Sequence, residues 1–322
     1  MAVYTTLSAA ELAELIGYYD VGDLISAKGI AEGVSNSNWL VETTIGRFIL
    51  TMYEHRVAVA DLPFFLGLLD HLSEKGSPVP RTIHDREGAA FRMIGDKAVA
   101  LIEFLPGVSV EPPSPAQARA VGVALAGLHL NSADFAGTRE NTMGPKAWRT
   151  LFEGCGTAGL ASIDPALPEL FARELAFVTV NWPANLPRSV IHADLFPDNV
   201  LLLGDLVRGL IDFYFACTDI TAYDLAVTHA AWCFRKDGEF RPRVSEALLA
   251  GYRAIRPLSG AEWRALPVLA RGASLRFMAT RAYDWLHTPA DALVTRKDPM
   301  DFARRLSFYA TRGAEAFPPS VN

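Results

Sequence analysis

The sequence predicts an α+β chain of two lobes with a cleft between them, a small β-rich lobe over residues 1–104 and a larger, mainly helical lobe over 105–322. Three observations predict it. At 322 residues the chain exceeds the size at which a single hydrophobic core usually keeps growing. Half of its residues are hydrophobic and a fifth are charged, which gives enough apolar surface for a sizeable core without covalent staples. Alternating apolar runs and turn residues crowd before Phe104, whereas helical periodicity dominates after it.

In chain order, Leu7-Ser8-Ala-Ala-Glu11-Leu12 has a capping-box pair flanked by staple leucines, so a helix starts near Ser8 and stops near Gly17. Trp39 to Thr44 alternates, Gly46-Arg47 turns, and Phe48 to Glu54 alternates again, predicting strand, turn, strand. Leu62, Phe65, Leu66, Leu69 and Leu72 share one helical face, and Gly76 with Ser77-Pro78-Val-Pro80 ends that helix. Short β-like runs fill Thr82 to Phe104. Ser114-Pro115 supplies an N-cap and a first-turn proline for a helix running towards Asn131. Beyond it the chain reads as mostly helical apart from one β-hairpin after Asn199, with Gly154 to Gly159 as a loose loop.

A formal charge of -6 and a pI near 5.7 give no electrostatic footprint for nucleic acid, so no nucleic-acid partner is expected. Cys155, Cys217 and Cys233 are too few and too scattered for a disulfide framework or a zinc site, which suits a reducing cytoplasm. No apolar stretch is long enough to span a bilayer and no leader pattern is visible, so neither membrane nor export is expected. Oligomeric state leaves no signature.

The chemistry-bearing segment is His192-Ala-Asp194-Leu-Phe-Pro-Asp198-Asn199, followed by Val200 to Ile211 and then Asp212. Two apolar runs around Gly204-Asp205 predict a tight hairpin, whose closure brings Asn199 and Asp212 opposite each other. Oxygen ligands from Asn and Asp suit a hard cation such as Mg²⁺. The spacing H-x-D-x-x-x-x-N plus a later aspartate has a mechanical meaning in phosphoryl transfer: Asp194 accepts the proton of an attacking hydroxyl while Asn199 and Asp212 hold the metal. His192 reads as a brace for the loop. Asp and Asn favour turns anyway, so each residue alone is explained by loop chemistry. Four coupled requirements at once are not.

At these residues the chain resembles the aminoglycoside phosphotransferase and choline kinase superfamily. Lys28 to Asn38, Phe48 to Glu54, Asp61 to Gly67, Ile211 to Cys217, Ala231 to Phe234 and Arg281 to Leu286 are similar to its homoserine kinase branch. The resemblance implies a protein-kinase-like fold with ATP between the lobes, Mg²⁺ as cofactor, and L-homoserine as the acceptor phosphorylated on its side-chain hydroxyl. It implies that Gly29, Gly33, Ser35 and Asn36 form the loop over the phosphates and that the backbone of Glu103 to Leu105 meets the adenine. Asp224 would brace the catalytic loop, and His129 reads as a satisfied structural histidine. The stretch is neither a G-x-G-x-x-G nor a Walker A sequence, and by itself Gly29 and Gly33 read as turn glycines.

One departure stands out. Kinases place a lysine on the strand that here reads Phe48-Ile-Leu-Thr51-Met-Tyr53, and Thr51 takes its place; Lys28 or Arg56 are the nearby cations. An amino-acid acceptor calls for a cation near its carboxylate, and Arg276 or Arg281 are the candidates, although Arg281 can also pair with Asp284. Tyr214 and Asn36 are further candidate acceptor contacts. Two other readings fit the same residues: a kinase of the same fold for choline, a sugar or an aminoglycoside, and a non-catalytic nucleotide-binding relative, which the missing lysine motivates.

Overall fold

The computed structural model describes residues 7–30, 36–54, 57–288 and 296–318. Its first part runs α1 (Ala9–Ile16), β1 (Leu24–Ile30), β2 (Asn36–Thr43), β3 (Arg47–Tyr53), α2 (Leu62–Glu74), β4 (Thr82–Ile83), β5 (Arg92–Ile94) and β6 (Lys97–Glu103). The capping box expected at α1 is present: Glu11 N–H donates to Ser8 Oγ at 3.2 Å and Ser8 N–H to the Glu11 carboxylate at 2.7 Å. The strands form one antiparallel sheet in the order β1-β2-β3-β6-β4, with β5 also on β6. One face buries Trp39, Val41, Leu50 and Leu101 against Leu12, Leu15 and Ile16 of α1. The other faces α2, whose buried leucines and Phe65 belong to the main core. β1 is an addition to the sequence expectation, because Leu24–Ile30 is half exposed at a sheet edge and shows no clean alternation.

The second part contains α3 (Pro115–Asn131), α4 (Pro145–Ile163), α5 (Leu167–Asn181), β7 (Arg188–Ile191), β8 (Val200–Leu203), β9 (Leu206–Leu210), β10 (Cys217–Ile220), α6 (Thr221–Trp232), α7 (Pro242–Ile255), α8 (Gly260–His287) and α9 (Met300–Ala316). Two corrections to the sequence reading arise here. Gly154 to Gly159 is not a loop; it lies within α4, broken only where Gly156 takes φ +65°. A second strand pair accompanies the expected hairpin, β7 against β10, with Cys217 opposite Ile191. Four-residue strands paired across more than twenty residues leave no local pattern to read.

All twelve residues of α6 are buried, packed among α3, α7, α8 and the β7–β10 pair. α3 and α7 cross with their backbones almost touching. A Cβ at Gly122 would lie 2.2 Å from Leu248 O, and one at Gly251 would lie 2.1 Å from Arg119 O, so both positions require glycine. Between the two parts, Val108 exchanges backbone hydrogen bonds with Leu202 of β8 at 3.0 and 2.9 Å, laying the connecting segment across the hairpin. Among the described residues no helix is long and apolar enough to cross a membrane.

Candidate active site

The loop after β7 turns sharply. Ala193 at φ +63° and Asp212 at φ +65° are the two non-glycine residues in the left-handed region among those described, and both belong to this site. Such conformations cost about 1–3 kcal/mol each and persist where the surroundings over-determine them. Here they do. Asp224, fully buried on α6, accepts from the backbone N–H of His192 and of Ala193, both at 2.7 Å. His129 of α3 reaches the same carboxylate at 3.0 Å and Tyr252 of α7 at 2.8 Å, the pairing that the close α3–α7 crossing permits. Burial alone would raise Asp224, but the hydrogen bonds it accepts from His129 and from the His192 backbone help hold it below its usual value. The bracing expected of Asp224 and the structural character expected of His129 match these contacts.

His192 is sealed, its Nε2 3.0 Å from Ile211 O and its ring against Phe213, which ties the loop to the segment carrying Asp212. Burial lowers its pKa, so it stays neutral. Trp232 Nε1 donates to Leu195 O at 2.9 Å, and Phe196 packs on Phe277 of α8 and Phe302 of α9. Asn199 Nδ2 donates to Asp194 O at 2.8 Å and lies 3.4 Å from Asp194 Oδ2. The hairpin brings Asn199 and Asp212 together as its pattern suggests, but offset by one residue. Asn199 O accepts from Ile211 N at 3.0 Å, and the ladder continues as Val200–Leu210. Asp212 follows Ile211 and is turned back by its left-handed backbone.

Asp194 and Asp212 share the same electrostatic strain. Crowding by protein pushes the Asp194 carboxyl up to about 7, opposed by the Arg276 charge and reinforced by Asp212 and Asp198. Asp212, at the water-reached floor of the cleft, is pushed up to about 6 by the same crowding and by Asp198. Lys297 counters both, and it pairs with Asp198 at 3.3 Å. Nothing in the sequence singled out Lys297, which lies far along the chain between α8 and α9.

The remaining candidates are placed as follows. Arg276 is 1% exposed and donates to Ala193 O at 2.5 Å. Arg281 pairs with Asp301 at 3.1 Å and donates to Asp298 O, not to Asp284 as the spacing allowed. Tyr214 lies edge-on to Tyr53, hydroxyls 3.4 Å apart, so it bridges the two parts under the sheet. Thr51 is buried beside it and donates to Asn38 Oδ1 at 2.8 Å. Lys97 pairs with Glu54 at 2.5 Å, and Ser37 donates to the same carboxylate. Gly29 lies in β1; Asn36 starts β2, buried, with its Oδ1 unpartnered. Glu103 ends β6, and Leu105 packs on Gly209 of β9. Gly33, Ser35 and Arg56 lie outside the described residues.

The model of the phosphotransferase enzyme family matches residues 26–258. This chain belongs to that phosphotransferase family. A homoserine kinase of Azorhizobium caulinodans is 51% identical over 309 residues, 96% of each chain. One of Methylobacterium radiotolerans is 52% identical over the same length, again 96% of each. Among solved structures, the phosphotransferase resembles a spectinomycin phosphotransferase in complex with ADP and spectinomycin, with a TM-score of 0.69, 14% identity and 94% of each chain covered. It also resembles the choline kinase of Cryptosporidium parvum, with a TM-score of 0.61, 16% identity and coverage of 90% of this chain and 89% of that one. The protein-kinase-like fold expected from the sequence is therefore the fold of the phosphotransferase.

Proposed function

We propose that this chain is a homoserine kinase, transferring the γ-phosphoryl group of ATP to the side-chain hydroxyl of L-homoserine to give O-phospho-L-homoserine and ADP, as a cytoplasmic enzyme serving threonine synthesis. The supporting observation is the identity of about half over nearly the whole length with relatives named homoserine kinase, together with an undisturbed base-and-asparagine loop. The homoserine hydroxyl oxygen attacks the γ-phosphorus, the bond to the β–γ bridging oxygen breaks, and the hydroxyl proton passes to Asp194. Residues 1–104 form the nucleotide lobe, with Gly29 and Asn36 towards the phosphates and Glu103 to Leu105 along the adenine. Residues 105–322 carry the catalytic and acceptor groups.

The donor set suits Mg²⁺. Asn199 spends its amide hydrogens on Asp194, which leaves its oxygen for a cation, and Asp212 sits where carboxylates repel one another. When bound there, the ion neutralises phosphate charge and keeps those carboxylates ionised. Of the cations considered for the acceptor, Arg281 is paired with Asp301 and Arg276 holds the Ala193 carbonyl; Lys297, paired with Asp198 but exposed beside the loop, is a further cation that an amino-acid carboxylate can meet. The test is ADP release measured with L-homoserine, L-serine, choline and kanamycin. A preference for L-homoserine is expected; equal or greater turnover with any other acceptor overturns the assignment.

A further inference from the structure

Arg276 is an unusual charge to find in a protein interior. It lies on α8 at 1% exposure, between the faces of Phe215 and Phe277. Arg256, Arg271 and Arg281 all have carboxylate partners. Arg276 has none among the described residues; its Nη1 donates to the Ala193 carbonyl at 2.5 Å and its Nε is unpartnered. Burying a charge without a counter-charge is costly, and an apolar side chain of similar volume would pack the same space better. Stability therefore does not account for it.

Its position does. Ala193 is left-handed and immediately precedes Asp194. The Ala193 N–H is taken by Asp224 Oδ1 at 2.7 Å and the Ala193 carbonyl by Arg276, so the two polar groups that flank its Cα are fixed from α6 and from α8. With those directions set, the following peptide plane is set, and with it the direction in which Asp194 leaves the backbone. Losing either hold lets residue 193 relax out of the left-handed region. The guanidinium also opposes the rise that crowding imposes on Asp194. At 1% exposure very little of the guanidinium is open to solvent.

We infer that Arg276 is a positioning residue that clamps Ala193 together with Asp224 and so aims Asp194 at the acceptor hydroxyl, and that it does not meet the acceptor's carboxylate. The inference rests on the kinase reading for its catalytic consequence but not for the clamp itself. Arg305 is a matched control: it is 8% exposed, lacks a carboxylate partner among the described residues, donates to Ala230 O at 2.9 Å and lies over Phe302, away from Ala193.

The experiment compares wild type, Arg276→Met, Arg276→Lys and Arg305→Met as full chains, by steady-state kinetics and by amide hydrogen exchange of residues 190–196. A catalytic group displaced by about 1 Å loses roughly a hundredfold, so Arg276→Met should lose about a hundredfold in kcat with KM for homoserine and ATP within about threefold. Arg276→Lys, which keeps a donor, should recover about tenfold of that loss, and Arg305→Met should stay within about threefold of wild type. Exchange in 190–196 should quicken in Arg276→Met but not in Arg305→Met. A tenfold rise in KM for homoserine with kcat intact, or unchanged kcat with unchanged exchange, overturns the inference. If Arg276→Met does not fold, Arg276→Lys carries both readouts. Wild type without homoserine-dependent ADP release sinks the functional reading alone, and exchange then decides the clamp.

Discussion

The two walls of the cleft are built by different means. Below, the loop of residues 192–199 is gripped from three helices: Asp224 and Trp232 on α6, Arg276 and Phe277 on α8, Phe302 on α9. Those grips are buried, and they come from residues 31 to 106 positions away in sequence. Above, among the described residues, the polar groups of the sheet are held by neighbours in the same sheet, Thr51 by Asn38 opposite it and Glu54 by Ser37 and Lys97. The lower wall thus presents a preorganised site whose cost is carried by the surrounding core. The upper wall presents a local hydrogen-bonded surface, with a threonine where a lysine is usual. Distant residues should matter below and only near neighbours above.

The largest expected effect breaks the lower wall at its chemical point. Asp194→Ala should reduce kcat by about a thousandfold or more while Mg-ATP binding by calorimetry stays within about threefold. Retained turnover would mean that Asp194 is not the base. Next, Gly122→Ala drives a methyl group into the Leu248 carbonyl, forcing apart the helices that bring His129 and Tyr252 to Asp224. It should lower stability by about 3 kcal/mol in urea titration and lower kcat as well. Normal kcat in the folded variant would show that the loop does not depend on that crossing.

A smaller effect is read through pH. Burial lowers His229 to about 3, between Tyr309 and Ser245 in the lower wall. The unfolded chain takes up this proton near the ordinary histidine value of about 6.5 and the folded one does not. This residue therefore removes about 1.4 kcal/mol of stability per pH unit as pH falls from about 6 towards 3. His229→Gln should flatten the acid limb of stability against pH by that slope; parallel limbs would refute it. Smallest is the upper wall: Thr51→Val removes one hydrogen bond to Asn38 and should raise KM for ATP about fivefold with kcat within about twofold. A hundredfold fall in kcat would show that Thr51 takes part in transfer and that the contrast between the walls is false.

What the sequence disclosed follows the same division between local and distant causes. Capping boxes at Ser8 and Ser114 involve partners three residues away, so helix starts were legible. Asn199 and Asp212 were legible as a pair because only a tight hairpin separates them, though their one-residue offset depends on a register that pattern alone does not fix. β7 against β10 was missed because each strand is four residues long and its partner is remote. For Arg276 the sequence shows charge but not burial, so its 1% exposure and its bond to the Ala193 carbonyl emerge only in the fold. Lys297 was overlooked since no spacing ties it to Asp198.

The hairpin itself has one more consequence. Leu203 pairs with Leu206, so Gly204, at φ +60°, and Asp205 make the whole turn. Between that turn and Asp212 the register shifts once, Leu201 pairing with Gly209 and Leu202 with Val207, so the second strand already carries one extra residue at Arg208. A single residue inserted at the tip must either bulge outward or shift one strand along the other, and a shifted strand turns its alternate side chains to the opposite face. The two-residue turn and that single extra residue together set where Asn199 and Asp212 lie relative to each other.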